Sequence, residues 1–231
     1  MKIYSFGEET KPAILLLPGT CCHWKRNFGH VIPLLQEHFY VLCASYDGFD
    51  ETEDSTFPNM LRETAKLESY IQKNLGGQLF AAYGCSLGGS FVGLMVQRKK
   101  IHIRHGILGS SDLDQGSSFG TWAMAKAMTP LLGKMLRSGK LPGWAKKKME
   151  EKTGAEYAQA MLQLFGCSAA TQELPSMEFV SNTSIFNQFF SDMVTPLEDD
   201  IYVPGTKIHC FYAVKMGEEY ENRYRRHFVD P

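Results

Sequence analysis

Residues 79–96, LFAAYGCSLGGSFVGLMV, place Ser86 between glycines at the junction of two apolar runs. The run before the serine, 78–83, has the length and composition of a buried β-strand, and the run after it, 87–98, reads as a helix. The spacing G-x-S-x-G at such a junction is typical of a turn that exposes a nucleophilic serine, since glycine leaves room for crowded chain segments. The segment therefore predicts that Ser86 attacks a substrate.

Strand-like and helix-like segments alternate on both sides of this turn. Short apolar runs with little polar alternation are typical of strands that are covered on both faces. Such runs occupy 13–17, 39–45, 78–83, 103–109 and 207–214, and helical patterns occupy 28–38, 58–75 and 87–98. The alternation predicts the α/β class, with a mostly parallel central sheet flanked by helices. The loops after the strands would then meet at one edge of the sheet, where open parallel sheets bind ligands.

The alternation stops between residues 115 and 200. This segment holds seven of the eleven methionines and two of the three tryptophans. Thr129 followed by Pro130 predicts a helix start within it, as Pro58 does for the helix over 58–75. We expect a helical cap over 115–200, inserted into a core formed by 1–114 and 201–231. Its methionine and aromatic side chains would either form the cap's own core or wall an apolar substrate pocket.

Charge and composition exclude several classes of protein. The 231 residues carry 24 basic and 25 acidic side chains, a formal net charge of −1, and no basic patch that would suggest a nucleic-acid partner. The N-terminal apolar run is too short for a signal peptide, and no stretch approaches the roughly 18 apolar residues of a membrane span. The six cysteines lack CxxC spacing, so we expect reduced thiols in a cytoplasmic protein, without a metal site or a cofactor.

In its LLLPGT, YDGFDET and GCSLGG segments, the chain resembles the α/β-hydrolase superfamily. The resemblance covers residues 11–112 well, the cap loosely, and the last strand by position alone. It implies the α/β-hydrolase fold with a mobile cap, and catalysis by a serine, an acid and a histidine in that chain order. Ser86 would be the nucleophile. The backbone N–H of Leu87 and that of Thr20, or of Cys21 in its place, would form the oxyanion hole.

Two places in the chain could supply the acid of this triad. Glu218, with Glu219 as the next candidate, follows the last predicted strand, where the superfamily's acid usually lies, and Asp112 follows the preceding strand, where some members carry it. Glu218 also belongs to a run of glutamates in front of a tyrosine stripe, which is the pattern of an ordinary helix with an acidic first turn. Both candidates therefore stay open.

No histidine of the sequence stands where the triad needs one. The resemblance implies a histidine beyond Pro231, on a further strand and loop. The alternatives within the sequence are His23, near the oxyanion loop, and His227, on the tyrosine-striped helix with a side chain that we expect to face solvent. We therefore expect an incomplete triad within residues 1–231, and a free sheet edge through which a homodimer could form.

Three functions compete at this point. The first is a serine hydrolase that forms a Ser86 acyl-enzyme with a small-molecule substrate, a carboxylic ester or thioester carrying an apolar group. The second is a non-catalytic protein that binds a small ligand on the same scaffold. The third is an acyltransferase in which Ser86 or Cys85 passes the acyl group to an acceptor other than water.

Overall fold

The computed structural model describes residues 1–113, 116, 118–138, 140, 143–156, 158–159, 176–212 and 217–231. Its strands are β1 (Lys2–Phe6), β2 (Ala13–Leu17), β3 (Tyr40–Ser45), β4 (Gln78–Cys85), β5 (His102–Gly109) and β6 (Lys207–Phe211). Its helices include α1 (Trp24–Phe28), α2 (Ile32–Leu35), α3 (Met60–Leu75), α4 (Leu87–Arg98), α5 (Phe119–Ser138), α6 (Gly143–Thr153), α7 (Asn182–Val194) and α8 (Glu218–His227).

The strands form one sheet in the order β1-β3-β2-β4-β5-β6. Every neighbouring pair is parallel except β1 with β3. Leu17 lies opposite Gly84 across β2 and β4. Cys85 lies opposite Gly109 across β4 and β5, and Gly109 lies opposite Phe211 across β5 and β6. The carboxyl ends of these four strands therefore reach the same edge, and the predicted α/β class with a mostly parallel sheet is confirmed.

Strand β1 is not predicted by the apolar runs. Its residues, KIYSF, are partly exposed, apart from the exposed Ser5. The strand pairs only with β3, antiparallel, at the edge of the sheet. An edge strand has one unpaired side and less burial than a central strand, so it lacks the continuous apolar run by which the other strands are recognised.

Helices cover the two faces of the sheet unequally. On one face, α3, α4, α7 and α8 contribute to a core that includes Leu17, Leu42, Phe91 and Phe228. On the other face, α1 and α2 contribute to a smaller cluster around Trp24. Between these two short helices and strands β2, β4, β5 and β6 lies an open apolar cavity of about 830 Å³. The outer edge of β6 pairs with no strand among the described residues, so the homodimer contact through a sheet edge stays a prediction.

Two short helices replace the single helix that the pattern over 28–38 predicts. Helix α1 ends at Phe28 and α2 begins at Ile32, with Pro33 in its first turn. One continuous helix would place Pro33 in its interior, where proline removes a backbone donor and clashes with the carbonyl of the preceding turn. The apolar spacing is therefore divided between two helices that meet at this proline.

Two other helix starts differ from the prediction. The N-cap of α3 is Asn59, whose side chain accepts a hydrogen bond from the backbone N–H of Arg62, so Pro58 lies outside the first turn. Pro130 lies inside α5 and does not begin a helix. The hydroxyl of Thr129 donates to the carbonyl of Ala125 at 2.8 Å, so hydrogen bonding continues next to a residue that has no N–H of its own.

The described part of the cap is helical and lies against the core. Helix α5 packs on α7, and α7 contacts α3. Met177 and Met193 are buried, whereas Trp122 and Trp144 are exposed. None of the cap residues that the structure describes lines the large cavity, so an apolar wall for the substrate stays a prediction, as do the exact bounds of the cap. Within the described ranges, no helix has the length and apolar character needed to cross a membrane.

We predict that Gly88→Ala destabilises the fold, because a Cβ at residue 88 would stand 2.1 Å from the carbonyl oxygen of Leu17. Moving α4 away from β2 to relieve this clash should lower the free energy of unfolding by about 1–3 kcal/mol or more. Gly143→Ala is the matched control, since its Cβ would meet nothing within 4 Å. Urea denaturation measures both variants, and a Gly88→Ala protein as stable as the parent would contradict the packing described here.

Candidate active site

Ser86 stands between the end of β4 and the start of α4. Its backbone has φ 50° and ψ −117°, a conformation that is strained for a residue with a side chain. The Ser86 N–H donates to the carbonyl of Gly109 at 2.7 Å, and the Gly89 N–H donates to the carbonyl of Ser86 at 2.8 Å. The structure therefore has the strained serine turn that the sequence predicts, and the role of Ser86 as a nucleophile stays a prediction.

Glycines allow this turn because the chain segments around it nearly touch. A Cβ at Gly84 would stand 1.9 Å from the carbonyl carbon of Gly88. A Cβ at Gly89 would stand 1.7 Å from the hydroxyl oxygen of Ser111. Since real Cβ atoms do not approach other atoms so closely, a side chain at either position would push β4, α4 and the loop after β5 apart.

The loop after β2, residues 18–22, lies beside Ser86 and is called here the oxyanion loop. A Cβ built on Gly19 would be 3.6 Å from the Cβ of Ser86. Asn27 Oδ1 accepts the Gly19 N–H at 2.9 Å, and Gln188 Oε1 accepts the Cys21 N–H at 2.7 Å. The intervening Thr20 N–H has no acceptor among the described residues. The N–H of Cys21, the alternative oxyanion donor, is therefore already paired, and the role of Thr20 as an oxyanion donor stays a prediction.

The second predicted donor belongs to the first turn of α4. The Leu87 N–H, like that of Thr20, finds no acceptor in the described part of the chain. It lies at a helix N-terminus, where the helix dipole favours negative charge. Two amides without an acceptor among the described residues therefore lie beside and within the serine turn, and an oxyanion hole needs two such donors.

The structure separates the two candidate acids by environment. Asp112 follows β5, the strand that pairs with the strand carrying Ser86. Its Oδ1 accepts the hydroxyl of Tyr220 at 2.6 Å, and Arg223 lies 3.8 Å from the same oxygen. Glu218 is exposed in the first turn of α8, the helix that carries Tyr220 and Arg223. Asp112 is thus held in place by side chains of α8, whereas Glu218 fits the alternative interpretation as part of an acidic helix start.

No histidine nitrogen of the described chain forms a hydrogen bond with Ser86. His23 is fully buried, with Nε2 2.8 Å from Glu51 Oε2 and Nδ1 accepting the backbone N–H of Lys25. His227 was expected to face solvent, and that expectation is wrong. Its side chain is 0% exposed, and its Nδ1 lies 3.0 Å from the carbonyl oxygen of Glu198. The segment from Glu198 to Ile201 packs against His227, and the Ile201 N–H donates to the His227 carbonyl at 2.8 Å. The helical pattern does not reveal this contact.

Burial weakens the cysteines as nucleophiles. The described cysteines are all free thiols. Burial raises the pKa of the Cys85 thiol, an effect that a hydrogen bond with Asn27 partly offsets. Burial also raises the pKa of Cys21 to about 12. Since the thiolate is the reactive form, Cys85 is poorly suited to attack an acyl group at neutral pH.

Asn27 and Gln188 are the residues of this site that the sequence analysis does not identify. Asn27 lies on α1 and Gln188 on the cap helix α7, far apart in the chain. Neither belongs to a motif, and no spacing rule connects a cap amide with a loop 167 residues earlier. No cluster of potential metal ligands occurs among the described residues.

Behind the serine turn, the cap contributes a buried acid. Asp192 on α7 is 5% exposed, and its Oδ1 has no hydrogen-bond partner in the described structure. It lines a cavity of about 10 Å³ together with Ser90 of α4. Burial raises the pKa of Asp192 to about 7; the neighbouring Ser90 hydroxyl acts to lower it, and the negative charge of Asp112 acts to raise it. Asp192 is therefore largely protonated below neutral pH.

A family model described as the alpha/beta hydrolase fold matches residues 12–188. No curated protein matches the chain. Among solved structures, a protein of the alpha/beta hydrolase family from Desulfitobacterium hafniense is similar, with a TM-score of 0.70 and 17% identity over 96% of this chain and 97% of that chain.

Two further solved structures have activities in their names. The enol-lactonase from Burkholderia xenovorans LB400 has a TM-score of 0.57 and 12% identity, over 97% of this chain and 93% of that chain. A thermophilic esterase from Thermogutta terrifontis has a TM-score of 0.56 and 14% identity, over 97% of this chain and 93% of that chain. At these identities the similarity shows the fold and does not identify a substrate.

We predict that Asp192→Asn changes how stability depends on pH. The folded-state pKa of Asp192 is raised from the ordinary 3.8 to about 7, so the unfolded chain loses this proton at lower pH than the folded protein does. The protonated carboxyl therefore makes its full contribution to stability below pH 3.8, and this contribution is lost as the pH rises to about 7. Relative to the parent, the variant's free energy of unfolding should therefore rise between pH 4 and 7, by at most about 1.4 kcal/mol per pH unit, and level off above. Urea denaturation across this range measures it, with the exposed Asp54→Asn as control. A constant difference between Asp192→Asn and the parent would refute the prediction.

Proposed function

The chain belongs to the alpha/beta hydrolase fold family, and from this premise we propose that it is a serine hydrolase. Its substrate would be a carboxylic ester or thioester with an apolar group, cleaved through a Ser86 acyl-enzyme. The observation that supports this most directly is the strained Ser86 turn, flanked by the unpaired amides of Thr20 and Leu87. A nucleophile beside two backbone N–H donors is the arrangement that acyl transfer requires.

In the proposed reaction, Ser86 Oγ attacks the carbonyl carbon of the substrate and gives its proton to an imidazole base. The carbonyl oxygen becomes an oxyanion, which accepts hydrogen bonds from the N–H groups of Thr20 and Leu87. Collapse of this intermediate breaks the bond to the alcohol or thiol, which leaves with the proton. Water then attacks the Ser86 acyl ester in the same way and releases the acid.

Asp112 is our choice for the acid that would orient the imidazole. It follows the strand next to Ser86, and the hydroxyl of Tyr220 holds one of its carboxylate oxygens. The other oxygen, Oδ2, has no hydrogen bond within the described residues and could accept an imidazole N–H. The exposed position of Glu218 supports it less well.

The base is the part of this mechanism that residues 1–231 do not place. Neither of the two candidate histidines contacts Ser86. The ring of His23 pairs with Glu51, and the ring of His227 faces the carbonyl of Glu198. Without a base, the oxyanion hole and binding alone leave roughly 10³–10⁴-fold acceleration over water. Because no histidine contacts Ser86 in the described structure, a second candidate function is also supported, that of a small-ligand-binding protein on this scaffold.

We predict that a fluorophosphonate probe labels the 231-residue protein slowly and at Ser86. Labelling should be lost in Ser86→Ala and kept in Ser90→Ala, a control on the same helix whose side chain is buried. Mass spectrometry of the digested protein locates the label. Label on another residue, or none in the parent protein after long incubation, would favour the binding-protein alternative.

We further predict that added imidazole raises the Ser86-dependent hydrolysis of a generic ester, because it supplies the missing base. Turnover without imidazole should stay well below the ordinary enzyme range of ~1–10³ s⁻¹. Asp112→Asn should lower the imidazole-dependent rate by roughly tenfold or more, since an orienting carboxylate is lost, and Glu218→Gln should leave it unchanged. The rates are measured spectrophotometrically and corrected with Ser86→Ala. Equal effects of the two substitutions, or ordinary turnover without imidazole, would show that the acid or the base is misassigned.

A further inference from the structure

We propose that Gln188 of the cap helix α7 is a positioning residue for the oxyanion hole, so that the hole has its working shape only when the cap is docked. The inference rests on the proposed function, because it assigns a role within that site. It is carried by a hydrogen bond that joins the cap to the oxyanion loop, by the backbone of Cys21 and by the burial of the glutamine.

Three consecutive backbone N–H groups of the oxyanion loop differ in whether they have a hydrogen-bond acceptor. The Gly19 N–H donates to Asn27 Oδ1 at 2.9 Å, and the Cys21 N–H donates to Gln188 Oε1 at 2.7 Å. The Thr20 N–H between them has no acceptor in the described structure. The loop is thus fixed on one side by the core helix α1 and on the other by the cap. The amide left over is the one that the mechanism assigns to the oxyanion.

The backbone of Cys21 needs such a restraint. Its φ is 58°, in the left-handed region that disfavours a residue with a side chain. A strained conformation persists only where the surrounding structure holds it. The Cys22 N–H donates to the carbonyl of Gly19 at 3.1 Å and closes the turn around this residue. The bond to Gln188 is the further restraint on the Cys21 amide itself, so its loss would let the Thr20–Cys21 peptide relax. That relaxation would turn or displace the Thr20 N–H.

Gln188 is well placed to act in this way. Its side chain is 0% exposed, and its Nε2 has no acceptor among the described residues. The reversed amide orientation would set the NH₂ group against the Cys21 N–H, two donors facing each other, so the accepting orientation is the only favourable one. The glutamine makes this contact although none of the described residues accepts from its NH₂ group, an arrangement that a role in helix docking alone does not require.

Other side chains of α7 already dock the helix on the core. Asn187 donates to the carbonyl of Phe57 at 2.9 Å, and Ser184 accepts the backbone N–H of Phe57 at 3.2 Å. Ser191 accepts the backbone N–H of Met60 at 3.3 Å. These bonds all reach residues 57–60, before and at the start of α3. Gln188 reaches the oxyanion loop instead, so cap docking and loop shape can be perturbed separately.

The test compares Gln188→Met with a neighbouring control variant and with a conservative replacement, all in the 231-residue protein. Gln188→Met keeps the side-chain volume but removes the acceptor for the Cys21 N–H. Asn187→Leu, its neighbour, removes a bond that docks the cap and leaves the oxyanion loop untouched. Gln188→Glu keeps an acceptor at the same reach and serves as the conservative replacement. Thermal unfolding of all variants separates loss of fold from loss of function.

Two readouts report on the loop. Hydrogen exchange of the Cys21 amide should accelerate at least about tenfold in Gln188→Met, but change little in Asn187→Leu and Gln188→Glu. The maximal rate of Ser86 phosphonylation by a fluorophosphonate should fall about 10- to 100-fold in Gln188→Met with half-saturation unchanged, because the phosphoryl oxygen occupies the oxyanion hole. In Asn187→Leu the maximal rate should stay within about twofold of the parent's.

The outcomes separate this inference from the proposed function. Absence of Ser86 labelling in the parent protein overturns the proposed function, and the exchange readout then still tests whether Gln188 holds the loop. Labelling in the parent with an unchanged maximal rate in Gln188→Met overturns the positioning role. Equal losses in Gln188→Met and Asn187→Leu also overturn it, because they would mean that only docking of the helix matters.

Discussion

The steric contact between the end of β4 and the start of α4 is the constraint on which the rest of the site depends. Gly84 and Gly88 meet so closely that a Cβ on Gly84 would lie 1.9 Å from a backbone carbon of Gly88. This closeness makes the chain reverse within a single residue, and that residue, Ser86, takes a strained backbone. The hydrogen bond from Ser86 to Gly109 fastens the same turn to β5. The serine is thereby held at the carboxyl edge of the sheet beside the oxyanion loop.

Around this turn, polar groups come from three layers of the fold. Asn27 reaches the oxyanion loop from α1, on one face of the sheet, and Gln188 reaches it from the cap. Helix α8 holds the loop after β5 through Tyr220 on Asp112 and through Tyr224, whose hydroxyl accepts the backbone N–H of Ser111 at 2.7 Å. A site assembled from separate elements is sensitive to how those elements dock. This is why the cap's buried hydrogen bonds bear on chemistry as well as on stability.

The strongest sequence prediction concerned the serine turn, because everything it needs is local. A strand, a helix and the turn glycines Gly84, Gly88 and Gly89 lie within residues 78–98, and steric exclusion between near neighbours in the chain decides the backbone. The central strands were recognised for a related reason, since burial on both faces demands continuous apolar runs. Predictions that depended on partners distant in the chain did less well. Strand β1 was missed at its exposed edge, and His227 proved buried.

The sequence by itself determined the α/β class, the order of strands and helices around Ser86, and the position of the Leu87 backbone N–H at the start of a helix. Only the tertiary structure decided which oxyanion-loop amide is left unpaired, because the acceptors for its neighbours come from Asn27 on α1 and Gln188 on the cap. It also distinguished the surroundings of Asp112 from those of Glu218, which no spacing rule could do. The physical reason is the same in each case. Steric limits act between residues close in the chain, whereas hydrogen bonds and burial depend on which segments the fold brings together.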